Sequence, residues 1–392
     1  MHYNLPLLPI LLVPALDHIN HRIQQVQRLG LYRYPRTHHG HDGAKVRVGD
    51  RWLVNFSSND YLGLAQHPVL KVAAVGATQL HGTGSGASRL VTGSSDRFST
   101  LERTIADWKA TDDAVVFNSG YQANIGVLGA LTKRGDCIFF DALAHASLRD
   151  GIGLSRANAY EFPHNDVAYL ETLLQKHTSQ GVRAIVTESV FSMDGDLAPL
   201  ASLLALARSH DCLLIVDEAH SVGVFGHQGA GLCAQLQLHD ERLIQVGTCG
   251  KALGSFGAYI ACCLPVAELL RNRARSFIYT TALPPATVAA TQAAIAHVCQ
   301  NSSHFQQQLL THRRYLEERL GVHTHSQIVP MVLGSSVRAQ AASQQLEDRG
   351  FWVQAIRPPT VPHGTARLRI SLSAIHTVEQ LDTLCTELQA IR

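Results

Sequence analysis

The chain has 392 residues, 46% of them hydrophobic and 16% charged, with a formal net charge of +2. That length suits two domains, or one large and one small, and the composition suits a well-buried globule and not a disordered chain. A near-balanced charge with no Lys/Arg run argues against nucleic acid as a partner, and eight cysteines without a CxxC pair read as reduced thiols in a cytoplasmic protein, not as a disulfide framework or zinc site.

The first stretch, Leu5 to Pro14, is apolar but too short to span a bilayer, and three prolines interrupt it. It has no basic flank and no small-residue cleavage site, so it reads as an arm packed on the body or on a partner subunit, without stable membrane insertion. From Asp17 to Leu29 the spacing predicts a helix with Ile19, Ile23 and Val26 on one face, stopped by Tyr34-Pro35. His38-His39-Gly40-His41 has no Cys or Glu at ligand spacing and reads as a solvated loop, so no metal is expected. Lys45 to Phe56 reads as a hairpin turning at Gly49-Asp50.

From Pro68 to about Leu283, helices alternate with short apolar strands, the pattern of a sheet covered on both faces. The expected strands are Ala114–Phe117, Cys137–Phe140, Ala184–Thr187, Leu213–Val216, Leu243–Val246 and Tyr259–Cys262. Gly82-Thr83-Gly84-Ser85-Gly86 is not GxGxxG and follows no strand, so it suits close backbone approach to a ligand better than dinucleotide binding. Asn118-Ser119-Gly120-Tyr121-Gln122-Ala123-Asn124 follows a strand and opens a helix, where free amides favour a phosphate. Past Pro284-Pro285, helical segments lead into strands at Ile328–Leu333, Phe351–Ile356 and Arg367–Leu372, a smaller α/β domain. The expected division is residues 1–55 as arm, helix and hairpin, 56–290 as the large domain and 291–392 as the small one.

Reactive side chains gather after these strands, where open α/β sheets bind ligands. They include Ser119-Gly120-Tyr121, His145, Ser192, Asp217, His220 and Lys251. The run Leu213-Leu214-Ile215-Val216-Asp217-Glu218-Ala219-His220 is followed by Thr248-Cys249-Gly250-Lys251. A lysine amine to form a Schiff base, and a carboxylate to pair with a pyridinium nitrogen, are what pyridoxal 5'-phosphate chemistry needs. Asp-Glu-Ala-His also occurs in helicases, but no GxxxxGK[ST] lies upstream.

The chain resembles the α-oxoamine synthases, pyridoxal phosphate enzymes of fold type I, over nearly everything after Gln27. The resemblance rests on Phe56-Ser57-Ser58-Asn59-Asp60-Tyr61-Leu62-Gly63, Phe191-Ser192-Met193-Asp194-Gly195-Asp196, Asp217-Glu218-Ala219-His220 and Thr248-Cys249-Gly250-Lys251. It implies an aminotransferase-like α/β fold, with a mostly parallel sheet between helices in the large domain and a smaller C-terminal α/β domain. Ala355 to Pro362, followed by Gly364-Thr365-Ala366-Arg367-Leu368-Arg369, is most similar to members that join L-alanine to pimeloyl-CoA or pimeloyl-carrier protein in biotin synthesis. Glycine C-acetyltransferase, 5-aminolevulinate synthase and serine palmitoyltransferase share the chemistry and remain the alternatives.

The resemblance further implies that Lys251 carries the Schiff base and the Cα proton, Asp217 meets the ring nitrogen, and His220 meets the ring hydroxyl. By the same resemblance His145 stacks on the ring, Ser192 contacts its edge, and Gly120, Tyr121 and Thr248 hold the phosphate. Thr280 or Thr281 reaches the phosphate of the neighbouring subunit in a homodimer. Asn59 and Arg369 are candidates for the amino-acid carboxylate, and Thr360 lies in the acyl region. The family's acyl-site arginine position holds Leu31 here, which leaves Arg33 as the contact for the acyl chain's far carboxylate.

Overall fold

The computed structural model describes residues 14–29, 31–33 and 35–391; residues 1–13 of the apolar arm, and Tyr34, lie outside them. The first half of the chain runs α1 (Pro14–Arg28), β1 (His41–Asp42), β2 (Lys45–Val48), β3 (Arg51–Asn55), α2 (Pro68–His81), α3 (Asp96–Lys109), β4 (Asp113–Phe117) and α4 (Gly120–Leu131). Then come β5 (Cys137–Asp141), α5 (Ala146–Ser155), β6 (Asn158–Phe162), α6 (Val167–Lys176), β7 (Arg183–Glu188), α7 (Leu200–Ser209) and β8 (Leu213–Asp217). They are followed by α8 (Leu232–Gln235), β9 (Leu243–Thr248), β10 (Ala258–Cys262), α9 (Leu264–Arg273), α10 (Arg275–Ile278) and α11 (Pro285–Leu320). The chain closes with β11 (Ile328–Gly334), α12 (Ser336–Asp348), β12 (Phe351–Trp352), β13 (Gln354–Ile356), β14 (Ala366–Ser371) and α13 (Val378–Ile391).

Seven strands form the main sheet in the order β4-β10-β9-β8-β7-β5-β6. Only β10 runs antiparallel to its neighbours, so β4, β9, β8, β7, β5 and β6 all point their C-terminal ends to one edge. Strand side chains alternate between faces, and here both faces are apolar. Val186, Ile215 and Ile244 pack towards α4, α5 and α9, whereas Ile185, Leu214 and Leu243 pack towards α6 and α7. The six expected strands are all present, within a residue or two. The seventh, β6, was not expected: Asn158-Ala159-Tyr160-Glu161-Phe162 is a mostly exposed edge strand without an apolar run.

The last part of the chain forms a three-stranded antiparallel sheet, β11-β14-β13, with α12 against it and α13 packed on α11 and α12. The single strand expected over Phe351–Ile356 is two. β12 pairs in parallel with β3 of the N-terminal hairpin, and β13 pairs with β14. Ser57 makes the break: its hydroxyl donates to the Trp352 carbonyl (3.1 Å) and accepts from the Gln354 amide (2.8 Å), taking the place of a neighbouring strand. The N-terminal hairpin therefore belongs to the same layer as residues 351–352. α1 starts three residues earlier than expected and ends one residue earlier, at Arg28, and its face of Leu16, Ile19, Ile23 and Val26 is exposed. Among the described residues no helix is long and apolar enough to cross a membrane, and no group of three or more His, Cys, Asp or Glu is placed to hold a metal ion.

Candidate active site

The C-terminal edge of the main sheet brings most of the expected residues together. Lys251 follows β9 in a turn closed by the Gly254 amide on the Lys251 carbonyl (2.9 Å). Gly254 has φ +59°, and a Cβ there would sit 2.3 Å from the Ala65 nitrogen, so the turn packs directly on the segment after the Asn59–Gly63 motif. The surroundings strip water from the Lys251 amine and bring its pKa down to about 8, although Asp217 pulls the other way.

Asp217 ends β8, only 7% exposed, with one oxygen accepting from Asn124 Nδ2 (2.7 Å) and the other from the Ala219 amide (2.9 Å). The same Asn124 amide donates to Ser147 Oγ (2.9 Å), which lies 2.7 Å from His145 Nδ1. His145 is the N-cap of α5, and its Nδ1 accepts from the Ser147 amide (3.2 Å), which places the ring proton on Nε2 when the ring is neutral. Burial lowers its pKa, with Asp217 opposing and Lys251 adding to the shift. A neutral imidazole face is suited to stack on a flat ring.

His220 Nε2 lies 2.7 Å from Lys251 Nζ, and its Nδ1 lies 2.6 Å from the hydroxyl of Tyr61, which is fully buried. Burial first, then the charges of Lys251 and Arg369, hold His220 well below the ordinary imidazole value. Tyr61 also accepts from Arg369 Nη2 (3.2 Å) and sits 3.0 Å from Asn59 Oδ1. Arg369 donates in addition to Asn59 Oδ1 (3.1 Å) and the Ser192 carbonyl (2.6 Å). One guanidinium on β14 thus ties the small C-terminal sheet to the Asn59 motif and to the Ser192 turn. Arg367, two residues earlier on the same face, reaches the Met193 carbonyl (3.1 Å) and the Asp194 carboxylate.

At the other end of this space Ser119 caps α4 by accepting from the Gln122 amide (3.2 Å), and the Gly120 and Tyr121 amides fall in the first turn, where a helix leaves its donors unpaired. Thr248 lies beside Gly120; its hydroxyl donates to the Gly257 carbonyl (3.2 Å) and accepts from the Gly250 amide (3.3 Å). The Tyr121 hydroxyl is engaged by Asp150 (2.5 Å), which leaves its backbone amide as the group at the head of α4. Asn118 donates to Thr280 Oγ1 (3.2 Å) and to the Thr281 carbonyl (2.6 Å), which puts that segment next to the α4 turn of its own chain. Beside the site, a cavity of about 670 Å³ is lined by His145, Ser192, Met193, Arg149, Arg33 and Thr360, among others. Arg33 Nη2 donates to Thr360 Oγ1 (3.3 Å) across its mouth.

The donor set fits pyridoxal phosphate: an amine of lowered pKa, a buried carboxylate, a neutral imidazole and a helix N-terminus within one space. Two buried oxygens near Asp217, Asn124 Oδ1 and Glu188 Oε1, have no hydrogen-bond partner among the described residues. Four residues of the site were not singled out from the sequence. Tyr61 and Asn124 lie inside stretches already marked, so their positions were legible but their partners were not. Glu188 and Gln327, whose amide donates to the His220 carbonyl (2.8 Å), carry no spacing signal at all.

The pattern of the class I and II aminotransferases matches residues 51–388. An 8-amino-7-oxononanoate synthase of Geobacter sulfurreducens is 48% identical over 92% of this chain and 94% of its own length. One of Anaeromyxobacter sp. strain K is 46% identical over 96% of each. Among solved structures, a serine palmitoyltransferase with pyridoxal phosphate aligns with a TM-score of 0.89, 30% identity and coverage of 97% and 98%. The 8-amino-7-oxononanoate synthase of Francisella tularensis gives 0.74 at 30% identity, covering 86% of this chain and 96% of that one. The fold is therefore of the fold type I aminotransferase-like class, with pyridoxal phosphate as its cofactor. This chain belongs to the class I and II aminotransferase family, in the group of the 8-amino-7-oxononanoate synthases.

Proposed function

We propose that the protein condenses L-alanine with a pimeloyl thioester, of CoA or a carrier protein, to give 8-amino-7-oxononanoate, a step of biotin synthesis. The 48% identity over nearly the whole chain carries this reading above the other α-oxoamine synthases. The serine palmitoyltransferase likeness, strong in fold but at 30% identity, supports the second reading, another amino acid and acyl chain on the same chemistry.

When bound, pyridoxal phosphate supplies an electron sink for the amino acid's Cα. Asp217, held in place by its two donors, would face the ring nitrogen, His220 the ring hydroxyl, His145 the ring face and Ser192 its edge. The α4 amides of Gly120 and Tyr121, with Thr248, would hold the phosphate. Thr280 or Thr281 would reach the phosphate of a second copy in a homodimer. Arg369 and Asn59 would orient the alanine carboxylate. Lys251, as a neutral amine, takes the Cα proton, and the electron pair left at Cα attacks the thioester carbonyl. The C–S bond breaks and the sulfur leaves as a thiolate, which takes a proton from solvent. The alanine carboxylate then departs as carbon dioxide, and Lys251 returns its proton to the same carbon. Thr360 and Arg33 would hold the acyl chain and its far carboxylate in the cavity; with Leu31 in place of the family's arginine, Arg33 carries that charge pairing.

The test is a panel of L-alanine, glycine and L-serine, each with pimeloyl-CoA, reading thiol release and product mass. Turnover with alanine supports the proposal. Turnover confined to glycine or serine moves the protein to another member of the family.

A further inference from the structure

Glu188 ends β7 opposite Asp217 in the register of two parallel strands, so the two carboxyl groups lie on one face at adjacent positions. Both are shielded from water; Glu188 is 2% exposed. Two anions so close in a dry space cannot both persist, and the proton goes to the less well solvated one. Asp217 has a donor on each oxygen, at 2.7 and 2.9 Å. Glu188 Oε2 accepts from the Ser192 amide at 3.3 Å, and the backbone amide of His145 also faces the carboxyl group. Its Oε1 has no partner among the described residues, a position that suits a protonated oxygen and penalises an ionised one.

We propose that Glu188 is a positioning residue of the cofactor site: a neutral carboxylic acid that ties the backbones of His145 and Ser192 together and leaves Asp217 as the one anion facing Lys251. The two tied residues are the ones that would cover the ring face and touch its edge, and they stand on separate loops, after β5 and after β7. Besides Asp217 on β8 and Lys251 after β9, the charged or titratable neighbours on packed elements are His145 at the head of α5 and Asp141 on β5. Asp141 is already engaged by His164 (2.9 Å) and by the Leu143 and Asn165 amides. Burial, and then the charge of Asp217, drive the Glu188 carboxyl well above its ordinary value, with Lys251 and the two amides opposing. The inference rests on the cofactor assignment of this site.

The experiment compares the wild type, Glu188→Gln and Glu188→Met, measuring pyridoxal phosphate affinity of the apoprotein and the pH midpoint of the bound cofactor's visible absorbance. Gln keeps a neutral group and an acceptor, so both readouts stay within about twofold, or about 0.3 pH unit, of wild type. Met keeps the volume but accepts no hydrogen bond, so cofactor affinity falls about tenfold or more. A Gln variant whose midpoint drops by about one unit would show that an anion had been removed, and would overturn the neutral acid. A Met variant with wild-type affinity would overturn the clamp. Should the Met variant not fold, an infrared difference spectrum of wild type minus Glu188→Gln at neutral pH decides: the carbonyl stretch of a protonated carboxyl supports the proposal, and a carboxylate stretch sinks it. Failure of the cofactor assignment itself looks different, because the wild type would then take up no pyridoxal phosphate.

Discussion

Lys251 meets two opposing demands, since it must lose its proton easily and must still be held in place. Burial lowers its pKa to about 8, against an ordinary lysine near 10.5, while contact with His220 fixes its position. The sign is definite: a depressed ammonium pKa enriches the neutral, nucleophilic amine. Capture of pyridoxal phosphate by the apoprotein should therefore speed up about tenfold per pH unit below pH 8 and level off above it; a stopped-flow series that climbs without a break to pH 10 would contradict this. Lys251→Ala should abolish turnover, because a placed proton-transfer group is worth about 10²–10⁴ in rate. Arg369 donates to four of its neighbours, Ser192, Asn59, Ser371 and Tyr61, and would also face the alanine carboxylate. Arg369→Lys loses the forked geometry, so KM for alanine should rise about 10- to 100-fold, the worth of a charged hydrogen bond of about 1.5–3 kcal/mol. An unchanged KM would remove Arg369 from the substrate site.

At the scale of elements, His164 joins the end of β5 to the loop that carries Ser192. Its two nitrogens meet Asp141 (2.9 Å) and Asp196 (2.8 Å), and Asn165 donates to the same Asp196 (2.9 Å). Burial alone would lower this imidazole, but the two carboxylates raise it to about 10. A raised folded-state pKa gives stability that is complete below about pH 6.5 and is lost as pH climbs towards about 10, at up to about 1.4 kcal/mol per unit. Urea unfolding at about pH 7 and about pH 9.5 should show this loss in the wild type and not in His164→Gln; equal slopes would remove the claim. Deeper in, Lys109 and Glu218 form a fully buried ion pair, with the Lys109 amine also on the Ala230 carbonyl and Glu218 accepting from Ser221 Oγ and the Cys233 amide. Lys109→Met strands that carboxylate and should cost about 3–5 kcal/mol, whereas the double variant with Glu218→Gln should recover much of it. The main strands were legible in the sequence because both faces of the sheet are apolar, so each strand is a run such as Leu213-Leu214-Ile215-Val216. Strand β6 and the split at Val353 were not, since one is an edge and the other is decided by the distant Ser57 hydroxyl.

For the whole molecule, the arrangement of the site was legible further than its wiring. Lys251, Asp217, His220, His145 and Ser192 could be grouped because each follows a parallel strand, and parallel strands share an edge. The links Asp217–Asn124–Ser147–His145 and His220–Tyr61–Arg369 depend on side-chain reach between elements far apart in sequence, which no spacing encodes. The same scale governs assembly. Helix α2 turns Leu70 and Ala77 inward and leaves Val69, Val72, Val75 and Leu80 exposed, and Leu90, Val91 and Tyr279 are exposed as well. Apolar surface of that kind marks an interface, and a homodimer is the proposed occupant. Val72→Asp should lower both the sedimenting mass and the activity; a monomer with full activity would refute the shared site.

The most direct test of the proposed reaction follows the carbon atoms. L-Alanine labelled with carbon-13 at its carboxyl is incubated with pimeloyl-CoA and the loaded enzyme. Decarboxylative condensation gives labelled carbon dioxide, one thiol per turnover and an unlabelled amino-ketone product. Label retained in the product, or carbon dioxide released without acyl transfer, would contradict it.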